Sequence, residues 1–130
     1  MNIIHTTQAA PPAGHYAQAV TSGDLVFVSG ILPVGIDGTI NLADPFHTQA
    51  ERVLSYASAI LKEIGADFSH VLKVTVYVAD IDNWPVFNEL YAAAFGSHTP
   101  ARTVVPVPEL HHGYGIEIDL IASKFGIAAT

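Results

Sequence analysis

Hydrophobic and polar residues alternate in several stretches of the chain and recur at helical spacing in two others. Val71 to Val78 alternates most cleanly, with Leu72, Val74, Val76 and Val78 on one face and Lys73, Thr75 and Tyr77 on the other. Tyr16 to Thr21 alternates as a short strand, Ser22-Gly23-Asp24 turns the chain, and Leu25-Val26-Phe27-Val28 returns as the second arm of a hairpin that Ser29-Gly30 ends. Two more strands follow late in the chain. In Thr99 to Val105, Ala101, Thr103 and Val105 face one way and Arg102 and Val104 the other. In Gly115 to Ala122, Ile116, Ile118, Leu120 and Ala122 oppose Glu117 and Asp119.

Between the strands lie two helical patterns. Phe46, Ala50, Val53, Leu54, Ala57, Ile60, Leu61 and Ile64 form one apolar stripe, with Asp44 placed as cap, Pro45 at the first helical position and Gly65 as terminator. Asp82 opens the second helix, Pro85 sits in its first turn, Trp84, Phe87, Tyr91, Ala94 and Phe95 point inward, and Gly96 ends it. Residues 1–13 end in Ala-Ala-Pro-Pro-Ala and predict an irregular arm, because prolines withhold donors from a ladder. Residues 31–44 predict a loop with a turn at Gly35-Ile36-Asp37-Gly38. The order strand, strand, helix, strand, helix, strand, strand is α+β. Both helices are expected on one face of a single sheet, leaving Arg102, Val104 and Glu117 together on the uncovered face.

Composition narrows the setting. The 130 residues suit one domain. Charged residues make up 13% and hydrophobic residues 50%, against ~25% charged in an average soluble domain, so a second apolar face is expected to be covered by subunit association. A net charge of −7 with five basic residues argues against nucleic acid as a partner. The chain has no cysteine, hence no disulfide, thiolate metal site or cysteine nucleophile. Met1 to Ala10 has no basic region followed by a long apolar run, and no segment nears the ~18 apolar residues of a membrane span, so the expected location is cytoplasmic and away from membranes.

The chemistry concentrates on two residues. Arg102 interrupts an apolar strand, and its planar fork of donors matches a carboxylate or phosphate two-pronged, as Lys cannot. Glu117 is the acid that a second strand brings to the same sheet. The pair is open to two readings, a structural ion pair or an anion-binding group with a catalytic acid across a cleft. None of the seven histidines are spaced four apart on a helix, and adjacent His111 and His112 would diverge on an extended chain, so no metal site is expected and both are read as loop residues at a pocket mouth. No G-x-S-x-G elbow or dinucleotide motif is present. Gly30 permits close approach of a ligand or backbone.

In order, Gly14-His15-Tyr16, Val28-Ser29-Gly30, Asn88-Glu89-Leu90-Tyr91, Pro100-Ala101-Arg102 and Ile116-Glu117-Ile118 resemble the RidA, or YjgF-like, family of enamine and imine deaminases from about Gly14 to Ala122. The resemblance implies a chorismate-mutase-like fold, assembled as a homotrimer with sites in the clefts between subunits. It implies that Arg102 holds the carboxylate of a 2-imino or enamino acid while Glu117 activates water. Backbone at Gly30 and Val104 would anchor the substrate, with Tyr16 and Ser29 closing the pocket. Asn88 fits the family's helix motif, and equally the polar edge of an amphipathic helix. No cofactor is expected, because an imine carbon is already electrophilic. The chain departs from the family at Val104, where Cys is common, at Ile31 in the substrate pocket, where Gln is common, and in the loop Glu109 to Tyr114. The alternative is a non-catalytic trimer that binds small carboxylates or acts as a chaperone.

Overall fold

The computed structural model describes residues 1–126. Six strands form one sheet: β1 Asn2–Ile4, β2 Ala19–Ser22, β3 Leu25–Ile31, β4 Val71–Val78, β5 Ala101–Pro106 and β6 Ile116–Ser123. Their order across the sheet is β1-β2-β3-β6-β4-β5, and only β4 and β5 run parallel. The parallel pair needs a crossover, which the helix α2, Trp84–Phe95, supplies. The longer helix α1, Phe46–Lys62, joins β3 to β4. The core lies between the helices and one sheet face, where Val26, Val28, Val74, Val76, Ile116, Ile118 and Leu120 meet Val53, Ala57, Leu61 and Phe87, all buried. Hydrophobic burial of this kind is what makes the alternation in β4 and β6 stabilising.

Local deviations from the expected elements have identifiable causes. The arm is not wholly irregular. Pro11 and Pro12 bar only their own neighbourhood, so Asn2–Ile4 is free to pair with β2 as an edge strand. Beyond it, buried Gln18 pins the chain: the Thr6 amide donates to Gln18 Oε1 at 2.7 Å, and Gln18 Nε2 donates to the Thr6 and Ala10 carbonyls at 3.1 and 3.0 Å. β3 continues through Ser29 and Gly30 to Ile31, with its pairing to β6 shifted between Val28 and Ile31. In β4 a shift between Val71 and Lys73 puts Val71 into the core and leaves Leu72 exposed.

Neither expected aspartate caps its helix. Asp44 instead binds Arg52 at 2.5 Å, and Pro45 takes the cap position without a side-chain bond. Asp82 lies inside a short turn, Ile81–Asn83, which Asp80 caps by accepting from the Asp82 amide at 3.0 Å. The glycine stops hold, with Gly65 at φ +73° and Gly96 at φ +62°. Among the described residues no helix is long and apolar enough to cross a membrane.

Candidate functional site

Register decides which side chains meet. Arg102 pairs with Val74, and Val74 with Leu120, so Arg102 and Val104 share the helix-facing side of the sheet with the core. Glu117 pairs with Tyr77, one step out of phase, and faces the open side. The expectation that Arg102, Val104 and Glu117 share the uncovered face is therefore wrong. Alternation of Arg102 with its neighbours in β5 and of Glu117 in β6 is as expected, but the phase between strands follows from the α2 crossover and the β4–β5 register. Arg102 and Glu117 form no ion pair with each other, which removes the structural-pair reading within one chain.

Arg102 sits on the edge strand and is exposed, not embedded among apolar neighbours. Its guanidinium lies against α2, with its central carbon 4.8 Å from the Trp84 ring centre and 4.8 Å from that of Tyr91. Nη1 donates to Asn88 Oδ1 at 3.0 Å. One guanidinium nitrogen is thus engaged by a side-chain amide, while the residue as a whole stays exposed. Trp84, expected as core, is only half-buried and serves partly as a platform for the cation.

Glu117 belongs to a cavity of about 710 Å³ that Tyr16, Ser29, Gly30 and Ile31 also line. Gly30 makes room for it: a Cβ there would stand 2.5 Å from Glu117 Oε1 and 3.2 Å from its carboxyl carbon. Ser29 donates its hydroxyl to the Ala17 carbonyl at 2.6 Å, so it joins the rim to the sheet. The Tyr16 hydroxyl accepts from the Ala13 amide at 3.3 Å, a local bond at the end of the arm that lines the cavity. The cavity thus holds five of the expected site residues, while Arg102, Asn88 and Val104 lie outside it.

Burial raises the Glu117 pKa, the charge of Asp119 on the same face raises it further, and His111 opposes both. His111 and His112 line the cavity as the sequence led one to expect, their rings 4.5 Å apart edge to face, with His112 at φ +61°. His111→Ala should therefore move the Glu117 titration to still higher pH, readable by carbon-detected NMR of the carboxyl group; an unmoved or downward titration would contradict the geometry. Tyr56 and Ile60 of α1 also line the cavity. Ile60 was hidden in sequence because it fits the helix's apolar stripe, Tyr56 lies outside the stripe that the spacing predicts, and only the position of the 31–44 segment turns the two into a wall. Among the described residues no group of three His, Asp or Glu could hold a metal.

A half-buried acid lining a cavity and an exposed guanidinium stacked on α2 at the opposite face of the sheet are the two charged features that this α+β fold sets apart. The chain belongs to the YjgF/RidA family, described as Endoribonuclease L-PSP, which matches residues 6–124. It is 37% identical over 122 residues to a RutC family protein of Pyrococcus abyssi, covering 94% of this chain and 96% of that one. It is 36% identical over 121 residues to the chloroplastic Reactive Intermediate Deaminase A of Arabidopsis thaliana, covering 93% of this chain and 65% of that one. The crystal structure of RidA from an Antarctic Psychrobacter superposes with a TM-score of 0.89 at 32% identity, covering 95% and 99% of the two chains.

Proposed function

We propose that this protein hydrolyses 2-imino and 2-enamino acids to 2-keto acids and ammonia, as a homotrimer whose sites are shared between neighbouring copies. The observation that carries this reading is the separation of Arg102 and Glu117 onto opposite faces of one sheet. A site using both therefore takes one from each of two copies. Support for assembly comes from the open face, where Ile3, Phe27 and Leu25 are 70%, 40% and 39% exposed.

In this mechanism the guanidinium of one copy clamps the substrate carboxylate and fixes the imine carbon near Glu117 of the next. Starting from the protonated imine, the Glu117 carboxylate takes a proton from water as the hydroxide oxygen bonds to that carbon, and the C=N π pair passes to nitrogen and leaves it a neutral amine. The resulting carbinolamine collapses as Glu117 returns its proton to the amine. Nitrogen leaves as ammonia, and the hydroxyl passes its proton to the freed Glu117 carboxylate, and from there to ammonia or water, as the ketone forms. A carboxylate with a raised pKa suits this cycle, because it is closer in basicity to the groups it exchanges protons with.

The test is complementation. An imine is generated in situ by an amino-acid oxidase, and keto-acid and ammonia release are followed with Arg102→Lys and Glu117→Gln, each alone and then mixed after dissociation. Each variant alone should be nearly inactive. An equal random mixture should regain activity at about a quarter of its interfaces, those where an intact arginine meets an intact glutamate from the next copy. No recovery in the mixture would overturn the shared site. If the wild type gives no rate above spontaneous hydrolysis, only the carboxylate-binding reading survives.

A further inference from the structure

Within one copy, the cleft beside Glu117 that a neighbouring copy would cover is larger than a three-carbon imino acid requires. Its volume of about 710 Å³ would hold roughly two dozen water molecules at ~30 Å³ each. Its polar lining comes from Glu117, Ser29, Tyr16, Gln18, His111 and His112. Besides the arm residues 9–14, its larger apolar walls include Ile31, Val34, Ile40, Tyr56 and Ile60. Ile31, Tyr56 and Ile60 are buried against the core, so that part of the wall belongs to the packed domain.

The wall is also preformed. The Tyr56 hydroxyl donates to the Val34 carbonyl at 2.6 Å, which leaves no free polar group on that ring. Arg52 donates to the Pro33 carbonyl at 3.1 Å while holding Asp44, so the segment from 33 to 44 is fastened to α1 at two points. Within it, Gly35 donates to the Thr39 carbonyl at 2.8 Å and closes the turn that carries Ile40.

Charge narrows the ligand further. The lining has no lysine or arginine, and its ionisable groups besides tyrosine are Glu117, His111 and His112. A substrate side chain bearing a second carboxylate would share the space with Glu117 and meet no cation from this chain, the neighbouring copy's guanidinium being engaged by the 2-imino acid's own carboxylate. One bearing an ammonium would pair with Glu117 and occupy the base. An apolar side chain incurs neither conflict and buries its surface against the five apolar walls.

Building on the deaminase reading, we infer that the site selects 2-imino acids with large apolar side chains, branched or aromatic, over three- and four-carbon imines. Discrimination by an apolar pocket amounts to roughly 10- to 200-fold per methylene when the fit is close. The experiment compares kcat/KM for imines generated in situ from alanine, leucine and phenylalanine with the intact protein. The leucine or phenylalanine imine should be favoured over the alanine imine by roughly tenfold or more. Ile40→Asp, at a position 45% exposed where the fold tolerates change, should collapse that ratio towards one. Equal rates, a preference for the alanine imine, or a ratio untouched by Ile40→Asp would each overturn the inference while leaving the deaminase reading intact. Hydrolysis of none of the three imines would defeat both, so the two failures are told apart.

Discussion

Glu117→Gln is expected to leave a folded protein whose imine hydrolysis is slower by roughly 10²- to 10⁴-fold, the usual worth of general-base help. Glutamine keeps the shape and can still orient a water, but it cannot take the proton. Stability should move the other way. Burial lifts the folded-state pKa of Glu117 above its unfolded value, so between those two values the folded state binds more protons. Stability therefore falls as pH rises through this window, because the carboxylate must ionise in a partly dry site. Glutamine removes that cost. The variant should melt at or above the wild-type temperature near neutral pH, and the difference should shrink as pH drops below the unfolded pKa. Melting curves at two pH values and turnover on the same samples check both limbs. Wild-type turnover, or early melting at neutral pH, would contradict the role given to Glu117.

Arg102→Lys is expected to reduce kcat/KM by about 10²-fold or more, since a misplacement of even ~1 Å at the reacting centre costs that much. Lysine keeps the charge and loses the planar fork, so it grips a carboxylate as a point charge. It also gives up the flat stacking on Trp84 and Tyr91 and alters the bond to Asn88. Because Arg102 is exposed, the fold should lose only about 1 kcal/mol or less, the worth of a surface cation–π contact. Thermal melts alongside initial rates separate the effects. A folded Arg102→Lys protein with undiminished kcat/KM would remove the arginine from the chemistry. Substrate carboxylate binding should weaken here and persist in Glu117→Gln, which isothermal titration with a 2-keto acid product would read.

Much of this molecule was legible before any coordinates. Ile116, Ile118, Leu120 and Ala122 are buried as their alternation requires, and both helices lie where the apolar stripes and the glycines at 65 and 96 set them. The errors fall where competition between neighbours decides the outcome. Asp44 had two available partners, the helix end and Arg52, and a guanidinium wins a carboxylate more strongly than an amide does. Leu72 lost its core position to Val71 through a one-residue shift in pairing, which leaves both residues equally apolar and so has no trace in composition. The pairing of Asn2–Ile4 with β2 was masked by the prolines that follow it.

The site divides along the same line. Local sequence determined the chemical identities: a forked cation within a strand, an acid alternating with isoleucines, and a glycine at a strand end. Those depend on side-chain type and on the two-residue period of a strand, both of which act over short range. Tertiary structure alone decided that Arg102 faces α2 while Glu117 faces the open side, that the Glu117 carboxylate lies close against the bare backbone of Gly30, and that Tyr56 and Ile60 wall a cavity. The physical reason is register. A strand's alternation says which residues share a face, but which face that is depends on one-residue choices in pairing, set by a crossover and by packing between segments distant in the chain.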